Sequence, residues 1–305
     1  LATQSNLLDV YAELTSNNPK VVLDKVYDNS KLYALLTLRN CSGRSQTLFK
    51  SLRNLNEAEG STSIVLLMHL IKNHDELEIS EGDIIKVIDA ATKFQIRRNM
   101  TKMPPTNQMI PFFSSLVQEV DKQEKKGSVV INYIIDKLRD FSADDSLFEN
   151  SLLEDVYTKN KAAITLILRM YATSGMTIED ERDLWKVTDS GMPVWTIEHI
   201  LPQGENLPQE WIDMVGHGDK EEANRVQKLC AHTLGNLTIT GFNSSLSNLP
   251  FTEKRDKKNE AGKYIGYRNG LNLNSEVCDK DEWTEDEINA RSKSLVVTIV
   301  KLFSV

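Results

Sequence analysis

The sequence predicts a mainly α-helical protein in two parts. A helical lobe over residues 1–190 precedes a smaller part, 191–305, with two short strands, a helix and a C-terminal helix that packs back on the body. Three observations carry this expectation. Apolar residues before about residue 185 recur at helical spacing. β-Branched and aromatic residues then gather in two short runs, "VWTIEHI" at 194–200 and "LGNLTITG" at 234–241. The closing "WTEDEINARSKSLVVTIVKLF" has Thr284 as N-cap and Glu287 three residues later, the pattern of a capping box ahead of an apolar stripe.

Taken in order, "SNLLDVYAEL" starts a helix with Ser5 or Asn6 as its cap, and "STSIVLLMHLIKNH" is apolar nearly all round, as a buried helix is. "SEGDIIKVIDAATKFQIRR" follows with Ser80 as N-cap. The prolines and Asn107 of "MPPTNQMIP", 103–111, read as a loop or hinge, after which "FFSSLVQEVDKQEKK" resumes as an amphipathic helix. "SVVINYIIDKLRDF" suits strand or helix by its apolar run, but its length and the polar face from Asp136 to Asp140 favour helix. "NKAAITLILRMYAT" is a buried helix ending near Gly175. Between the strand runs lies a long polar excursion carrying Trp211 and His217. After them "NSSLSNLPFTEKRDKKNEAGKYI" reads as a helix with a cap-like Asn248 and Pro250 in its first turn.

Composition narrows the function classes. With 40% apolar and 26% charged residues the 305-residue chain is an ordinary globular protein, and no apolar run approaches the roughly 20 residues of a membrane span. Cys41, Cys230 and Cys278 are odd in number and form no C-x-x-C pair. That argues against a disulfide framework or a structural zinc ribbon and fits a reducing, cytoplasmic setting. The chain opens at Leu1 with neither an initiator methionine nor a signal-peptide pattern, as a piece of a longer protein does. A net charge of −8 disfavours wrapping nucleic acid over the whole surface. Locally, however, Lys254, Arg255, Lys257, Lys258, Lys263 and Arg268 face only Asp256 and Glu260, while the acids cluster between Glu276 and Glu287. Two solvated faces are the commoner meaning of such runs.

The adjacent pair Glu198-His199, in "VWTIEHILPQ", concentrates the chemistry. Neighbouring strand residues point to opposite faces, so both cannot enter one core. A hydrogen-bonded structural histidine is the commoner case. Here a second strand follows with Asn236, Asn243, Asn248 and Lys254. Carboxylate and amide oxygens suit a hard cation such as Mg²⁺, and a neutral imidazole takes a proton from water.

"IEHILPQ", "LGNLTIT", "NSSLSNLPFTEK" and "WTEDEINARSKSL", in that order over about 190–303, resemble the C-terminal nuclease domain of GmrSD-type modification-dependent restriction enzymes and of phosphorothioate-sensing phage-defence nickases. "FQIRRNMTKMPPTN" at 94–107 resembles their linking helical region. The resemblance implies an HNH, or His-Me finger, nuclease with a ββα-metal core acting on foreign DNA in a bacterial cytoplasm. It makes His199 the general base and Asn236 the residue that braces the loop and orients it. Glu198 and either Asn243 or Asn248, with Asn243 preferred, become ligands of one Mg²⁺, for which Mn²⁺ substitutes. Lys254 and Arg255, with Lys257 and Lys258 beside them, are expected to hold flanking phosphates. The family's N-terminal nucleotide-hydrolysing sensor half has no counterpart motif here.

Other readings stand beside this one. A zinc set of His199, Cys230 and His232 matches no standard spacing, and no structural zinc is expected. His69, His74 and His217 are given no role, and Trp185, Trp195, Trp211 and Trp283 are read as core anchors. Arg97 and Arg98 are either a surface pair making helix C-terminal contacts or a DNA-backbone contact. The helical lobe alone would suit a DNA- or partner-binding regulatory module with a silent or autoinhibited finger. A single site engages one strand at a time, so nicking is the simpler expectation.

Overall fold

The computed structural model describes residues 5–177, 179 and 182–305. They pack as two compact units, Leu1–Thr92 with Pro105–Phe141, and Lys93–Pro104 with Ser142–Val305. The first unit is helical: α1 (Leu7–Asn17), α2 (Pro19–Leu36), α3 (Gln46–Glu57), α4 (Ile64–Lys72), α5 (Glu81–Thr101, whose last turns belong to the second unit), α6 (Thr106–Lys122) and α7 (Ser128–Phe141). Its core follows the helical period: Leu48, Leu52 and Leu55 on α3, Met109, Phe113, Leu116 and Val120 on α6, and Ile131, Ile134 and Leu138 on α7 are buried. Thus 128–141 is helix. At the head of α5, the Ser80 hydroxyl accepts the Asp83 N–H, and the Asp83 carboxylate accepts from the Ser80 N–H and hydroxyl. Asn6 precedes α1 without a side-chain cap bond.

One expectation fails in this unit. Residues 103–111 are not a loop throughout, because α6 begins at Thr106 and carries Pro111 inside it. Pro111 forfeits one backbone bond near the start of the helix, a cost offset by the apolar stripe that α6 buries.

In the second unit α8 (Asp145–Leu152), α9 (Val156–Lys159) and α10 (Lys161–Ser174) precede β1 (Thr196–His199). Then come α11 (Gln209–Gly216), α12 (Lys220–Cys230), β2 (Leu237–Thr240), α13 (Asn243–Leu246), α14 (Phe251–Asp256), α15 (Ser275–Cys278) and α16 (Glu285–Leu302). The two strands form an antiparallel pair with Thr196 opposite Thr240 and His199 opposite Leu237. The unit around the strand pair thus takes in helices well upstream of residue 191. No described helix is long and apolar enough to cross a membrane.

The polar excursion between the strands contains two helices, α11 and α12. Asp219 accepts hydrogen bonds from the N–H groups of Glu221 and Glu222, and Trp211, Ile212, Val215, Ala223, Val226 and Cys230 are buried along the two helices. The segment after β2 is likewise not one helix. Asn248 is exposed and caps nothing, α14 starts behind Pro250, and the chain leaves helix at Lys257 to bridge from Lys258 to Tyr264. The capping box at Thr284 and Glu287 forms as expected.

α16 is tied to the start of β2. The enclosed Arg291 guanidinium donates from Nη1 to the carbonyls of Gly235 (2.5 Å) and Leu237 (3.0 Å) and from Nη2 to that of Leu273 (2.8 Å). Burial lowers its pKa to about 10, still above neutrality, so the charge is solvated by carbonyl dipoles. Gly235 lies flat against α16 and gives its N–H to the Ser292 hydroxyl at 2.9 Å. A Cβ there would run into the Ile288 carbonyl oxygen and Ser292 Oγ. Gly235→Ala is therefore expected to destabilise by about 1–3 kcal/mol, seen as a lower melting temperature. A melting temperature equal to the parent's would show that α16 does not press on this turn.

Candidate active site

The site grows from the end of β1. Alternation sends Glu198 and His199 to opposite sides, and both are buried, at 3% and 6% exposure. On the Glu198 side, the Lys254 ammonium reaches in from α14, itself fully enclosed. Its Nζ donates to Glu198 Oε1 at 2.7 Å and to the carbonyls of His199 at 2.9 Å and Ile200 at 3.1 Å. Three acceptors match the three N–H bonds of an ammonium. Burial pushes the Glu198 carboxyl up and the Lys254 ammonium down, and their mutual attraction opposes both. Lys254 is thus not on the surface, and the expectation that it holds a DNA phosphate gives way to a structural role.

Asn236, 0% exposed, braces the chain beyond His199. Its Oδ1 accepts from the Leu201 N–H (2.7 Å) and Trp283 Nε1 (3.2 Å), and its Nδ2 donates to the carbonyls of Leu201 and Ala231, both at 2.9 Å. The amide is fully used, so Asn236 positions the turn and does not touch substrate. Trp283 and Trp211 are core anchors, Trp283 stacking on Phe251 at 5.5 Å. Trp195 instead lines the pocket described next.

His199 opens onto a pocket of about 580 Å³ whose wall includes Glu198, Asn243 and Asn248, and, from the preceding helices, Tyr157, Lys161 and Arg169. His199 Nε2 lies 3.2 Å from Nδ1 of His232, the two rings at 81°. Tyr157 stacks on His232 (5.3 Å, 9°) and meets His199 edge-on (4.7 Å, 78°). Burial first, then the neighbouring His232, Lys254 and Lys161, lower the His199 pKa to about 3, so its imidazole is neutral at physiological pH. Nothing local in the sequence marks His232 or Tyr157 as part of this site, and His232 enters the sequence analysis only through the zinc spacing. Cys230 turns into the core, and no group of three His, Cys, Asp or Glu side chains among the described residues could hold a metal ion.

The structure separates the remaining expected DNA contacts from the pocket lining. Arg255, 9% exposed, donates to both Asp256 oxygens, the Lys280 carbonyl and Asp281. Arg97, 3% exposed, is spent on the Ala143 carbonyl and Asp145, with its guanidinium 4.8 Å from the Phe148 ring. Arg98 is half-buried and bonded to Asn99. These three are structural cations. Lys257 is half-buried, and Lys258 is exposed over the Tyr264 ring. The exposed cation on the pocket wall is Lys161, 5.2 Å from the Tyr157 ring.

The metal expected at Glu198, Asn243 and Asn248 can be tested against the donor atoms. Asn243 Nδ2 donates to the Ile197 carbonyl at 2.7 Å and to Thr196 Oγ1 at 3.3 Å. That carbonyl requires a donor, which fixes the amide and leaves its Oδ1, a hard oxygen, for a cation. Glu198 departs from the expectation, since Oε1 is held by Lys254 and only Oε2 is left. The hard oxygens left over for a cation are therefore Asn243 Oδ1 and Glu198 Oε2, with the exposed Asn248 on the same pocket wall.

The lowered His199 pKa sets a sign for stability. In the unfolded chain the imidazole titrates near its ordinary 6.5, so between about 3 and 6.5 the unfolded state binds the extra proton. The contribution is complete above that window and is lost as pH falls, by up to about 1.4 kcal/mol per pH unit. His199→Gln is expected to flatten the pH dependence of unfolding free energy measured between pH 7 and about pH 4.5. A slope equal to the parent's would show that the imidazole is solvated.

The family model described as GmrSD restriction endonucleases, C-terminal domain, matches residues 120–297, which take in α7 to α15, both strands and most of α16. A comparison with curated proteins gave no match. The matched stretch covers more than half of the chain and contains the Glu198–Lys254 pair, His199, His232 and Asn243. The chain belongs to the family of GmrSD restriction endonuclease C-terminal domains.

Proposed function

We propose that this chain is a Mg²⁺-dependent DNA endonuclease of the HNH, or His-Me finger, type. It nicks foreign or phage DNA one strand at a time in the bacterial cytoplasm, as the effector part of a restriction or phage-defence protein. The observation that carries the reading is the buried, neutral imidazole of His199, in contact with His232, on the wall of the pocket that also holds the free amide oxygen of Asn243. Targeting is supplied by a nucleotide-hydrolysing sensor part, which suits a chain whose net charge of −8 gives it weak DNA affinity of its own.

A phosphodiester resists attack because its anionic oxygens repel nucleophiles, so the chain must orient a water, remove its proton and answer the charge that builds up. His199 serves as the proton acceptor. A phosphate in the pocket raises the proton affinity of its imidazole through negative charge, against the burial that lowers it. Asn243, with Asn248 and Glu198 Oε2 on the same pocket wall, would hold the divalent cation. When bound, the cation neutralises the phosphate and stabilises the departing 3′ oxygen. Lys161 draws the strand to the pocket mouth, and Asn236 keeps the turn after β1 in register.

Supercoiled plasmid incubated with Mg²⁺ or Mn²⁺ is expected to give open-circular product. His199→Ala is expected to lower the rate by about 10²–10⁴-fold while remaining folded, and Asn243→Ala to raise the metal concentration required. Cleavage that survives His199→Ala would remove this site from the chemistry. A folded parent that binds DNA but cuts with no divalent metal would instead favour a binding module with a silent finger. Lys161→Glu is expected to weaken binding uniformly across sequences and lower the salt slope by about 1, and an unchanged slope would place the strand elsewhere.

A further inference from the structure

His199 Nε2 and His232 Nδ1 lie 3.2 Å apart, a contact in which one ring donates and the other accepts, the roles being set by the tautomers. If His232 donates, His199 carries its own proton on Nδ1 and has no lone pair left to act as a base. If His199 donates from Nε2, its Nδ1 is bare. No hydrogen bond occupies that Nδ1 among the described residues, and His199 lines the pocket.

His232 is built to be a fixed partner. Its carbonyl accepts the N–H groups of Val156 (3.2 Å) and Tyr157 (3.3 Å), and Thr233 bridges to Asp155. Tyr157 covers the ring face in a stack only 9° from parallel. The N-terminus of α9 thereby holds the imidazole from its backbone and its ring at once.

We propose that His232 is a positioning residue that accepts the Nε2–H of His199 and so sets the tautomer in which Nδ1 of His199 is the basic atom. The proposal rests on the nuclease reading, which chooses between the two tautomers by requiring a basic Nδ1 on His199. In the reaction, a water O–H bond breaks and its proton goes to His199 Nδ1. The water oxygen bonds to phosphorus, and the P–O3′ bond breaks with its electron pair leaving on the 3′ oxygen. His199 is then a cation whose Nε2–H still donates to His232, so the contact that orients the base also stabilises its protonated form.

The test is nitrogen NMR of the full chain labelled in histidine, without DNA, with His199 assigned through His199→Gln. The expected spectrum shows His199 protonated on Nε2 and bare on Nδ1. A proton on Nδ1 in the parent protein would overturn the proposal, and this measurement needs no His232 variant to fold. In plasmid cleavage, His232→Phe is expected to lower kcat by about 10–100-fold with little change in KM. His232→Asn, whose Oδ1 accepts the same bond, is expected to recover most of the loss. An unchanged kcat in His232→Phe, or no advantage of Asn over Phe, would also overturn it. If the parent cuts no DNA at all, the nuclease reading falls while the spectrum still decides the role of His232.

Discussion

A lysine ammonium enclosed beside a glutamate carboxylate orders everything around the strand pair. Lys254 comes from α14, Glu198 from the end of β1, and the same Nζ also takes the carbonyls of His199 and Ile200. Those two carbonyls lie where β1 gives way to the turn and would otherwise need donors inside a core. The ion pair thus binds the helix that follows the strands to the strand that carries the histidine. Gly266 completes the arrangement, since a Cβ there would strike the Lys254 carbonyl. Buried pairs of this kind add little net stability relative to an apolar replacement, but they leave a large penalty if one partner is lost. Their value here is geometric: the pair specifies where His199 stands.

From that anchor the site can be followed outward. Asn236 uses all of its amide bonds on the turn after β1 and on Trp283, and Arg291 fastens α16 to the residues on either side of Asn236. With the backbone held on three sides, His199 is buried enough to stay neutral, and Asn243 reaches back to the Ile197 carbonyl so that its oxygen is the one left over. Rigid buried support behind a few reactive atoms on a pocket wall is what the proposed chemistry, one water placed against a phosphate, requires.

The strands, the capping box of α16 and the adjacency of Glu198 and His199 were legible in the sequence because each rests on local chemistry: β-branched alternation, a Thr and Glu three residues apart, neighbouring polar residues in an apolar run. α11 and α12 were also locally encoded, by Asp219 before Lys220 and by Ala223, Val226 and Cys230 at helical spacing, yet the polar majority of that segment obscured them. Other features depend on distance and could not be seen. His232 meets His199 across 33 positions, and Tyr157 joins them from a helix upstream of β1. The basic run 254–258 misled for the same reason, since composition does not distinguish a lysine that faces water from one that faces Glu198. Arg97 and Arg255 repeat that lesson with Asp145 and Asp281 as partners.

The central claim is that Glu198 serves the fold through Lys254 before it serves any ligand. A double-mutant cycle on unfolding free energy, with Lys254→Met, Glu198→Leu and the two together, tests it most directly. The account predicts that Lys254→Met alone costs about 3–5 kcal/mol, because a buried carboxylate is stranded, and that the double variant recovers most of that loss. A cost under about 1 kcal/mol for Lys254→Met, with effects that simply add, would contradict it and return Glu198 to the open pocket as a free ligand.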